Sequence, residues 1–464
     1  MHRRAMAKPS PPHIRLPSLK VPLQLLAPFG NPTVPAPLQM TSTGDPPMTD
    51  KELAVLLSGQ RLGTLREDRH GKHWFSYDLD GPERNLSLSM PRRRQPWGPD
   101  RVEPFLDGLL PGDQAARVEI ARTYGAVAGN TFSLLSVVGR DCAGAVQFLR
   151  TEAMNEIDDG SLIPMSDSDI GERLKELITS RQPSWQLHGE HWSLAGAQEK
   201  IALHHRGGQW HQATGAIPTT HIIKPGVTDL HCQAYNEVLC LEAVRIIGLP
   251  TANTDYVDFA GTSAVVSRRW DRHVASDGTV TRVHQEDLCQ ALAVHPSRKY
   301  QADGGPSPGN VIAFLRSLRL EDDIWLFVRA LSINFLLGAT DAHAKNYAIL
   351  HTDDAPPRLA PLYDIASIYP YSPSRSQRRL AMKIGSRYGY DEITLRHWIT
   401  FAEANGLDPN VVTAQLYLDA GEVPGALQAA IELHAPRTDD DHRLAETLLD
   451  EVDAQCQRVL AWFG

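Results

Sequence analysis

The sequence predicts an α+β protein with two lobes, in which a small β-rich N-terminal part precedes a mainly helical C-terminal lobe. Residues 50–90 alternate between apolar and polar side chains, which is the period of strands buried on one face. After Arg282 the apolar residues recur mostly at helical spacing. With 464 residues and an apolar content of 42%, the chain is long enough to form at least two hydrophobic cores.

The predicted elements follow the chain in that order. Residues 52–57, 61–65 and 73–77 are predicted strands, separated by turns at Gly59 and Gly71. Residues 102–124 and 130–138 have a helical pattern, and the polar stretch from Asp158 to Asp169 indicates a linker. We therefore divide the chain into a front subdomain (residues 49–152), an α/β lobe (153–271) and a helical lobe (272–464).

Residues 1–48 differ from the rest of the chain in their high proline content. Proline recurs there too often for a helix or a sheet, and apolar residues are too few for a core. Two interpretations remain open: a disordered leader, or a chain whose translation begins at Met40 or Met48. Export is not expected, because proline bounds the apolar run between Val21 and Pro28 on both sides.

Cysteine content and charge indicate an enzyme of a reducing, cytoplasmic compartment. The five cysteines are scattered and include no Cys-x-x-Cys pair, which argues against a disulfide framework or a zinc knuckle. No run of about 18 apolar residues is present, so we expect no membrane span. A net charge of −9 makes direct, unaided DNA binding unfavourable, because such binding depends on cations that neutralise phosphates.

A group of polar residues in the C-terminal half has a spacing that phosphoryl transfer can use. Asn346 follows Asp341 by five positions, and Asp364 follows eighteen positions after Asn346. A kinase needs one carboxylate to accept the proton of the attacking hydroxyl, and an Asn and a second Asp to hold Mg²⁺. We therefore predict a kinase with Asp341 as its base. The alternative, a zinc hydrolase that uses Asp341 and His343, lacks further residues at metal-ligand spacing.

Residues that could bind a nucleotide precede this group. Small residues at 195–197 would let backbone N–H groups approach phosphate oxygens. The apolar strand predicted at 221–225 carries Lys224, either a solvated edge residue or a phosphate-binding cation. Glu237 is predicted to open a helix that ends at Gly248, where it orients Lys224 or only complements the helix dipole.

Two further segments are predicted to lie near this nucleotide site. A hairpin over residues 254–267 leads into residues 268–272, which we call the hinge segment, between the two lobes. Residues 300–309 are rich in Gly, Ser and Pro. They are either a mobile loop near the nucleotide cleft or a passive surface connection.

The chain resembles the HipA family of serine/threonine kinases, the toxins of HipBA-type toxin–antitoxin modules. The resemblance covers about residues 49–390 and depends most on residues 193–200, 341–346 and 363–364, with support from 86–90, 105–111 and 139–146. It implies a two-lobed, protein-kinase-like fold, with ATP and Mg²⁺ as cofactors.

The resemblance also implies roles for individual residues. Asp341 would be the catalytic base, Asn346 and Asp364 the metal ligands, Glu237 the residue that orients Lys224, and Ser193 an autophosphorylation site. The implied ATP-binding residues are Ala195, Gly196, Ala197, Gln198, Glu199, Lys200, Lys224, Arg268, Arg269, Trp270, His343, Lys345, Asn346 and Asp364. The hinge segment departs from the family pattern, because Arg268 stands where the family usually has Glu.

The same resemblance implies the partners. They are a HipB-like helix-turn-helix antitoxin, operator DNA contacted indirectly through that antitoxin, and a protein substrate, typically an aminoacyl-tRNA synthetase whose modification arrests growth. Two alternatives stay open: a small-molecule phosphotransferase, which has no reason to carry Ser193, and a non-catalytic nucleotide-binding co-repressor, which has no reason to keep Asp341, Asn346 and Asp364 together.

Overall fold

The computed structural model describes residues 51–180, 186–227, 229–352, 355–372, 374 and 378–464. The interpretation of residues 1–48 therefore lies outside the described residues. The strands are Lys51–Leu57 (β1), Gln60–Glu67 (β2), His73–Tyr77 (β3), Asp141–Cys142 (β4), Val146–Leu149 (β5), Leu162–Met165 (β6), Trp192–Ser193 (β7), Ile201–Arg206 (β8), Gln209–Ala213 (β9), His221–Lys224 (β10), Thr254–Phe259 (β11), Thr262–Arg268 (β12), Arg272–Val274 (β13), Val280–Arg282 (β14), His284–Asp287 (β15), Ala348–His351 (β16), Arg358–Leu359 (β17), Arg379–Ile384 (β18) and Arg387–Gly389 (β19).

The α-helices alternate with these strands early in the chain and dominate late in it. They are Pro99–Gly108 (α1), Gln114–Tyr124 (α2), Thr131–Val138 (α3), Asp167–Thr179 (α4), Gln233–Ile246 (α5), Leu288–Ala291 (α6), Pro308–Ser317 (α7), Glu321–Leu337 (α8), Leu395–Ala404 (α9), Pro409–Leu433 (α10) and Asp439–Leu460 (α11). No helix in the described ranges is long and apolar enough to cross a bilayer.

The first part of the described chain is a sheet covered by helices. Its strand order is β3-β2-β1-β5, and α1, α2 and α3 contribute to one hydrophobic cluster with its buried face. The helical pattern predicted over 102–124 corresponds to two helices, α1 and α2. Pro111 lies between them, and proline has no N–H to continue a helical hydrogen-bond ladder.

A larger sheet forms the second part, with strand order β11-β12-β10-β8-β9-β6. The predicted linker is wrong in part, because residues 162–165 form its edge strand β6, antiparallel to β9. Strand β6 has only four residues, one of which is Pro164, and its partner lies about fifty residues away in the chain, so local pattern does not reveal it.

Helix α5 connects this sheet to the helical lobe. Its side chains from Gln233 through Val244 are buried between the sheet and α10. This part of the helix therefore has no solvent-exposed polar face. It also begins one turn before Glu237, after Cys232 in the left-handed conformation. Glu237 therefore lies inside the helix and not in its first turn, which removes the explanation that it only complements the helix dipole.

The helical lobe is built around α8, which carries the predicted catalytic segment at its C-terminal end. Three acidic residues open α8, and Gly338 ends it in the left-handed conformation, with φ at 74°. A Cβ atom at Gly338 would lie 2.7 Å from the Tyr369 ring, so the turn requires glycine. Residues 339–347 then pass from α8 to β16, which pairs with β15. The helical spacing after Arg282 does not begin at once, since residues 284–287 are strand β15.

Candidate active site

A cavity of about 380 Å³ lies between the larger sheet and the helical lobe, and we call it the central cavity. This volume is in the range of sites that hold small molecules. Side chains from several separate segments line it, and most of the residues predicted to bind a nucleotide are among them: Ala195, Gly196, Ala197, Gln198, Lys200, Lys224, Glu237, Trp270, Asp341, His343, Lys345, Asn346 and Asp364.

Lys224 joins two acidic residues on the wall of this cavity. Its Nζ lies 2.9 Å from Glu237 Oε1 and 2.7 Å from Asp364 Oδ1. Burial alone would lower the pKa of Lys224, but the carboxylates of Asp364 and Glu237 raise it above its ordinary value. Burial raises the pKa of Glu237 against the opposing charge of Lys224. Lys224 therefore carries a permanent positive charge, and it lines the cavity.

Asp364, which pairs with Lys224, has an unusual backbone conformation. Its φ is +59°, which is uncommon for a residue with a side chain and concentrates at functional sites. Desolvation would raise the pKa of Asp364, but Lys224 and Lys200 lower it to about 2. The carboxylate is thus ionised at neutral pH, and its side chain remains 40% exposed to the cavity.

The loop between β7 and β8 carries the predicted phosphate-binding residues. Gly196 has φ at +105°, a conformation that favours glycine, and its carbonyl accepts a hydrogen bond from the Gly112 N–H at 3.0 Å. Lys200 Nζ donates to the Ala195 carbonyl at 2.7 Å. Burial and the neighbouring Lys224 lower the pKa of Lys200 to about 7.

Ser193, at the start of this loop, is buried. Its hydroxyl donates to the Leu109 carbonyl at 2.8 Å, and its strand β7 runs parallel to β4. Ser193 does not line the central cavity. Residues 109–112, which belong to the first part of the chain, therefore contact the loop at both Ser193 and Gly196. The front subdomain is therefore connected to the predicted phosphate-binding loop.

Most of residues 341–346 also line the cavity. The Asn346 side-chain amide donates to the Asp341 carbonyl at 2.9 Å, which leaves its oxygen as the atom that can bind a cation. Lys345 Nζ lies 2.5 Å from Asp287 Oδ2 and 3.2 Å from the Gly108 carbonyl. Burial lowers the pKa of His343 to about 3, so this imidazole is neutral at physiological pH.

The Asp341 side chain is 64% exposed and reaches into the cavity. Partial desolvation and the nearby Asp364 carboxylate raise its pKa above the ordinary value, while a hydrogen bond from Tyr300 and the charge of Lys299 oppose the rise. An exposed carboxylate with a raised pKa remains able to accept a proton from a hydroxyl.

The hinge segment contributes one side chain to the cavity. The Trp270 ring centroid lies 4.7 Å from that of Tyr363, and its indole N–H donates to Gln285 at 2.8 Å. These rings form an aromatic wall suited to a flat base. The Arg268 side chain is exposed outside the cavity, and the buried guanidinium of Arg269 donates to Asp271 at 2.8 Å. Neither of these side chains lines the cavity, and neither does Glu199.

Three residues in and beside the cavity were not predicted from the sequence. Asp287 and Lys299 line the cavity, and Asp287 anchors Lys345. Tyr300 does not line the cavity, but its hydroxyl donates a hydrogen bond to Asp341. The Gly-rich run that follows Tyr300 left open whether this segment lies near the nucleotide cleft, and no local pattern connects Tyr300 with Asp341, which lies about forty residues later.

Two side chains that line the cavity could bind a metal ion through oxygen. Asp364 and Asn346 both offer oxygen atoms, and Mg²⁺ prefers oxygen ligands from one or two carboxylates together with phosphates and water. Among the described residues, no cluster of three or more His, Cys, Asp or Glu side chains could hold a metal by itself. The residues present therefore fit Mg²⁺ shared with a phosphate ligand.

Two family models match the chain. The HipA N-terminal domain matches residues 53–149, and the HipA-like C-terminal domain matches residues 192–422. A putative kinase, Y4mE, from Sinorhizobium fredii is 35% identical over 370 residues, which cover 78% of this chain and 87% of that protein. The serine/threonine-protein kinase toxin HipA of Shewanella oneidensis is 27% identical over 376 residues, covering 78% and 85% of the two chains.

A solved structure extends this similarity to the fold. The structure of the Shewanella oneidensis MR-1 toxin–antitoxin complex of HipA, HipB and operator DNA contains a chain that superimposes with a TM-score of 0.79. The two sequences are 25% identical, and the match covers 88% of this chain and 98% of that one. The predicted α+β, two-lobed kinase-like fold is confirmed. The chain belongs to the HipA family of serine/threonine-protein kinases.

Proposed function

We propose that this protein is an ATP- and Mg²⁺-dependent kinase that acts in the cytoplasm as the toxin of a toxin–antitoxin module. The observation that carries the proposal is that Lys224, paired with Glu237, and Asp341 line the same cavity. Phosphoryl transfer requires this division between a cation that holds phosphates and a base that receives a proton.

Each wall of the cavity has its own task in the transfer. Lys224, Lys200 and the backbone N–H groups around Gly196 would bind the phosphates of ATP, and the aromatic wall would hold the base. Asn346 and Asp364 would hold Mg²⁺, which when bound neutralises phosphate charge. Asp341 would accept the proton of a serine or threonine hydroxyl, and the neighbouring His343 would be neutral during the transfer.

The proposed protein substrate is a translation component, namely an aminoacyl-tRNA synthetase whose phosphorylation arrests growth. The proposed partner is a HipB-like helix-turn-helix antitoxin, with operator DNA bound through that antitoxin. Similarity to the Shewanella HipA, which was solved together with HipB and operator DNA, supports the antitoxin partner and the indirect DNA contact. The net charge of −9 also favours contact with DNA through a basic partner.

Ser193 is the proposed autophosphorylation site. A phosphate there adds roughly −1.5 to −2 charges and three acceptor oxygens. It would also remove the hydroxyl that donates to the Leu109 carbonyl, in a position with no room for a phosphate because Ser193 is buried. The modified loop would have to leave its place against residues 109–112, and the phosphate-binding groups would leave with it.

Single-turnover incubation of the purified protein with γ-labelled ATP tests this function. Label on protein supports the kinase, label on a small metabolite indicates a small-molecule phosphotransferase, and no transfer indicates a co-repressor that only holds nucleotide. Purified glutamyl-tRNA synthetase serves as the acceptor probe, and the Asp341→Asn variant serves as the inactive control.

Mass spectrometry of the same reactions tests Ser193. We expect phosphate on Ser193 in the active protein and none in Asp341→Asn. An unmodified Ser193 in a protein that actively labels its substrate would exclude the autophosphorylation site and leave the kinase assignment intact.

A further inference from the structure

Residues 296–305 are an ordered part of the active site and not a passive connection. They form two short 3₁₀ turns, Pro296–Arg298 and Gln301–Asp303. We call residues 339–347, which connect α8 to β16, the catalytic loop. The Lys299 carbonyl accepts a hydrogen bond from the Ala344 N–H of this loop at 3.3 Å. The Gln301 side chain accepts one from the Lys383 N–H at 2.8 Å. The segment is therefore attached both to the catalytic loop and to β18.

Glycine at position 305 makes this turn possible. The Gly305 N–H donates to the Tyr300 carbonyl at 2.9 Å, which closes the segment on itself. A Cβ atom at Gly305 would lie 2.0 Å from the Arg298 carbonyl oxygen, a distance at which the backbone must move. These contacts fix the backbone of Tyr300 and thereby restrict the positions that its side chain can reach.

The Tyr300 side chain points at the proposed base. Its hydroxyl donates to Asp341 Oδ1 at 2.5 Å, and its ring meets the buried His343 ring edge to face, with centroids 4.9 Å apart. The other carboxylate oxygen, Asp341 Oδ2, lies 3.8 Å from His343 Nε2, which is beyond hydrogen-bond distance. One oxygen of Asp341 is held by Tyr300, and the second remains able to accept a proton.

An exposed aspartate has several accessible rotamers, and only some aim an oxygen at the acceptor hydroxyl. We propose that Tyr300 is a positioning residue of the phosphoryl transfer, whose hydroxyl holds Asp341 by Oδ1 and thereby directs Oδ2 toward the attacking hydroxyl. This inference rests on the proposed kinase function. In the transfer, the acceptor O–H proton passes to Oδ2, the acceptor oxygen bonds to the γ-phosphorus, and the bond to ADP breaks as ADP leaves.

The Tyr300→Phe variant removes only the positioning hydroxyl. The ring contact with His343 and the backbone contacts of the segment remain, so the fold and the ATP site should be unaffected. Misplacing a reacting group by about 1 Å can cost up to about a hundredfold in rate, and we expect a loss of about ten- to a hundredfold. Tyr417→Phe is the matched control, because Tyr417 is 47% exposed on α10, outside the central cavity.

The measurement is the single-turnover rate of label transfer from γ-labelled ATP to protein at saturating ATP, together with ATP affinity by direct titration. Tyr300→Phe should lower the rate and leave the affinity unchanged, whereas damage to the fold would lower both. In an Asp341→Asn background the same change should have no further effect, because the residue that Tyr300 positions is already inactive.

Three results would overturn the inference. One is a wild-type transfer rate in Tyr300→Phe. Another is a further loss in the double variant, which would mean that Tyr300 acts independently of Asp341. The third is phosphate on Tyr300 itself, which would make it an acceptor. If the wild-type protein transfers no label, the proposed kinase function fails, and the inference fails with it.

Discussion

Lys224 is shared between two carboxylates that have different tasks. Glu237 is buried in α5, whereas Asp364 reaches the open cavity. Phosphate oxygens that bind Lys224 compete with Asp364 for the same ammonium group. We therefore expect that nucleotide binding releases the Asp364 carboxylate to a cation, which would make nucleotide and Mg²⁺ bind cooperatively.

The Asp341→Asn variant tests the base. The amide keeps the size of the side chain but cannot accept a proton, and loss of general-base catalysis lowers rates by about 10²–10⁴. Expression of the wild-type protein should slow growth, and expression of the variant should not. Asp391→Asn, an exposed aspartate outside the cavity, is the control. Equal toxicity of wild type and Asp341→Asn would exclude Asp341 from the mechanism.

Replacement of Lys224 separates stability from activity. Lys224→Met leaves the buried Glu237 carboxylate without its partner, and breaking a buried pair costs about 3–5 kcal/mol of unfolding free energy. The double variant Lys224→Met/Glu237→Gln removes both charges and should recover most of that stability. It should nevertheless not bind ATP. Denaturant unfolding and ATP titration measure the two effects, and recovered ATP binding in the double variant would contradict the role of Lys224.

At the scale of elements, the loop between β7 and β8 depends on the backbone of Gly196. A side chain at φ +105° is strained, and strain in such regions costs about 1–3 kcal/mol. The added Cβ would also lie 2.6 Å from Lys200 Nζ. Gly196→Ala should therefore weaken ATP affinity by about ten- to a hundredfold, since every 1.4 kcal/mol is a factor of ten.

The control for this loop is Gly112→Ala. Its new Cβ would meet Gly196 atoms at 3.7 Å, which is ordinary contact, and its N–H would still donate to Gly196. Isothermal titration with a non-hydrolysable ATP analogue compares the two variants. Equal affinities would mean that the conformation of Gly196 does not matter for phosphate binding.

Elements with strong local signals could be predicted from the sequence. The strands at 52–57, 61–65 and 73–77 and the hairpin over 254–267 are confirmed within a few residues, because alternation and turn glycines are local properties. The edge strand β6 and the start of α5 were missed, because each depends on a partner distant in sequence.

The candidate site divides in the same way. Residues in dense motifs, such as Asp341 and Asn346, could be found from their spacing. Tyr300 could not, because its function depends on a hydrogen bond across about forty residues of chain. The ATP-binding role of Arg269 stays a prediction, and it is limited to the backbone because the side chain is committed to Asp271 and Thr219.

At the scale of the whole molecule, a buried network of charges connects the parts of the chain. Asp141 on β4 accepts hydrogen bonds from Arg272 and Thr219, at 2.8 Å each, and lies 3.2 Å from Arg282. Burial would raise the pKa of Asp141, but Arg272, Arg269 and Arg282 hold it well below its ordinary value. The front subdomain is thereby joined to the hinge segment through ionised groups.

Asp141→Asn should destabilise the protein by about 3–5 kcal/mol, because it leaves buried guanidinium groups uncompensated. A depressed carboxylate pKa stabilises the fold above the unfolded-state pKa, and that stability is lost as pH falls toward the folded-state value. Wild-type stability should therefore fall on acidification below about pH 4, and the variant should lose less over that range. Asp78→Asn, in an exposed pair with Arg61, is the control.

Thermal unfolding followed by circular dichroism measures both the loss of stability and its pH dependence. If Asp141→Asn and Asp78→Asn unfold at the same temperature, the buried network does not stabilise the connection between the parts of the chain.

The aromatic wall of the central cavity also gives the protein an optical property. Of the tryptophans that the structure describes, Trp270 is the one that lines the cavity, whereas Trp192 and Trp398 are buried elsewhere. A base stacked against that indole would quench its fluorescence and shift its emission. Nucleotide binding can then be followed in the unlabelled protein, and Trp270→Phe should remove the signal while it keeps an aromatic ring in the wall.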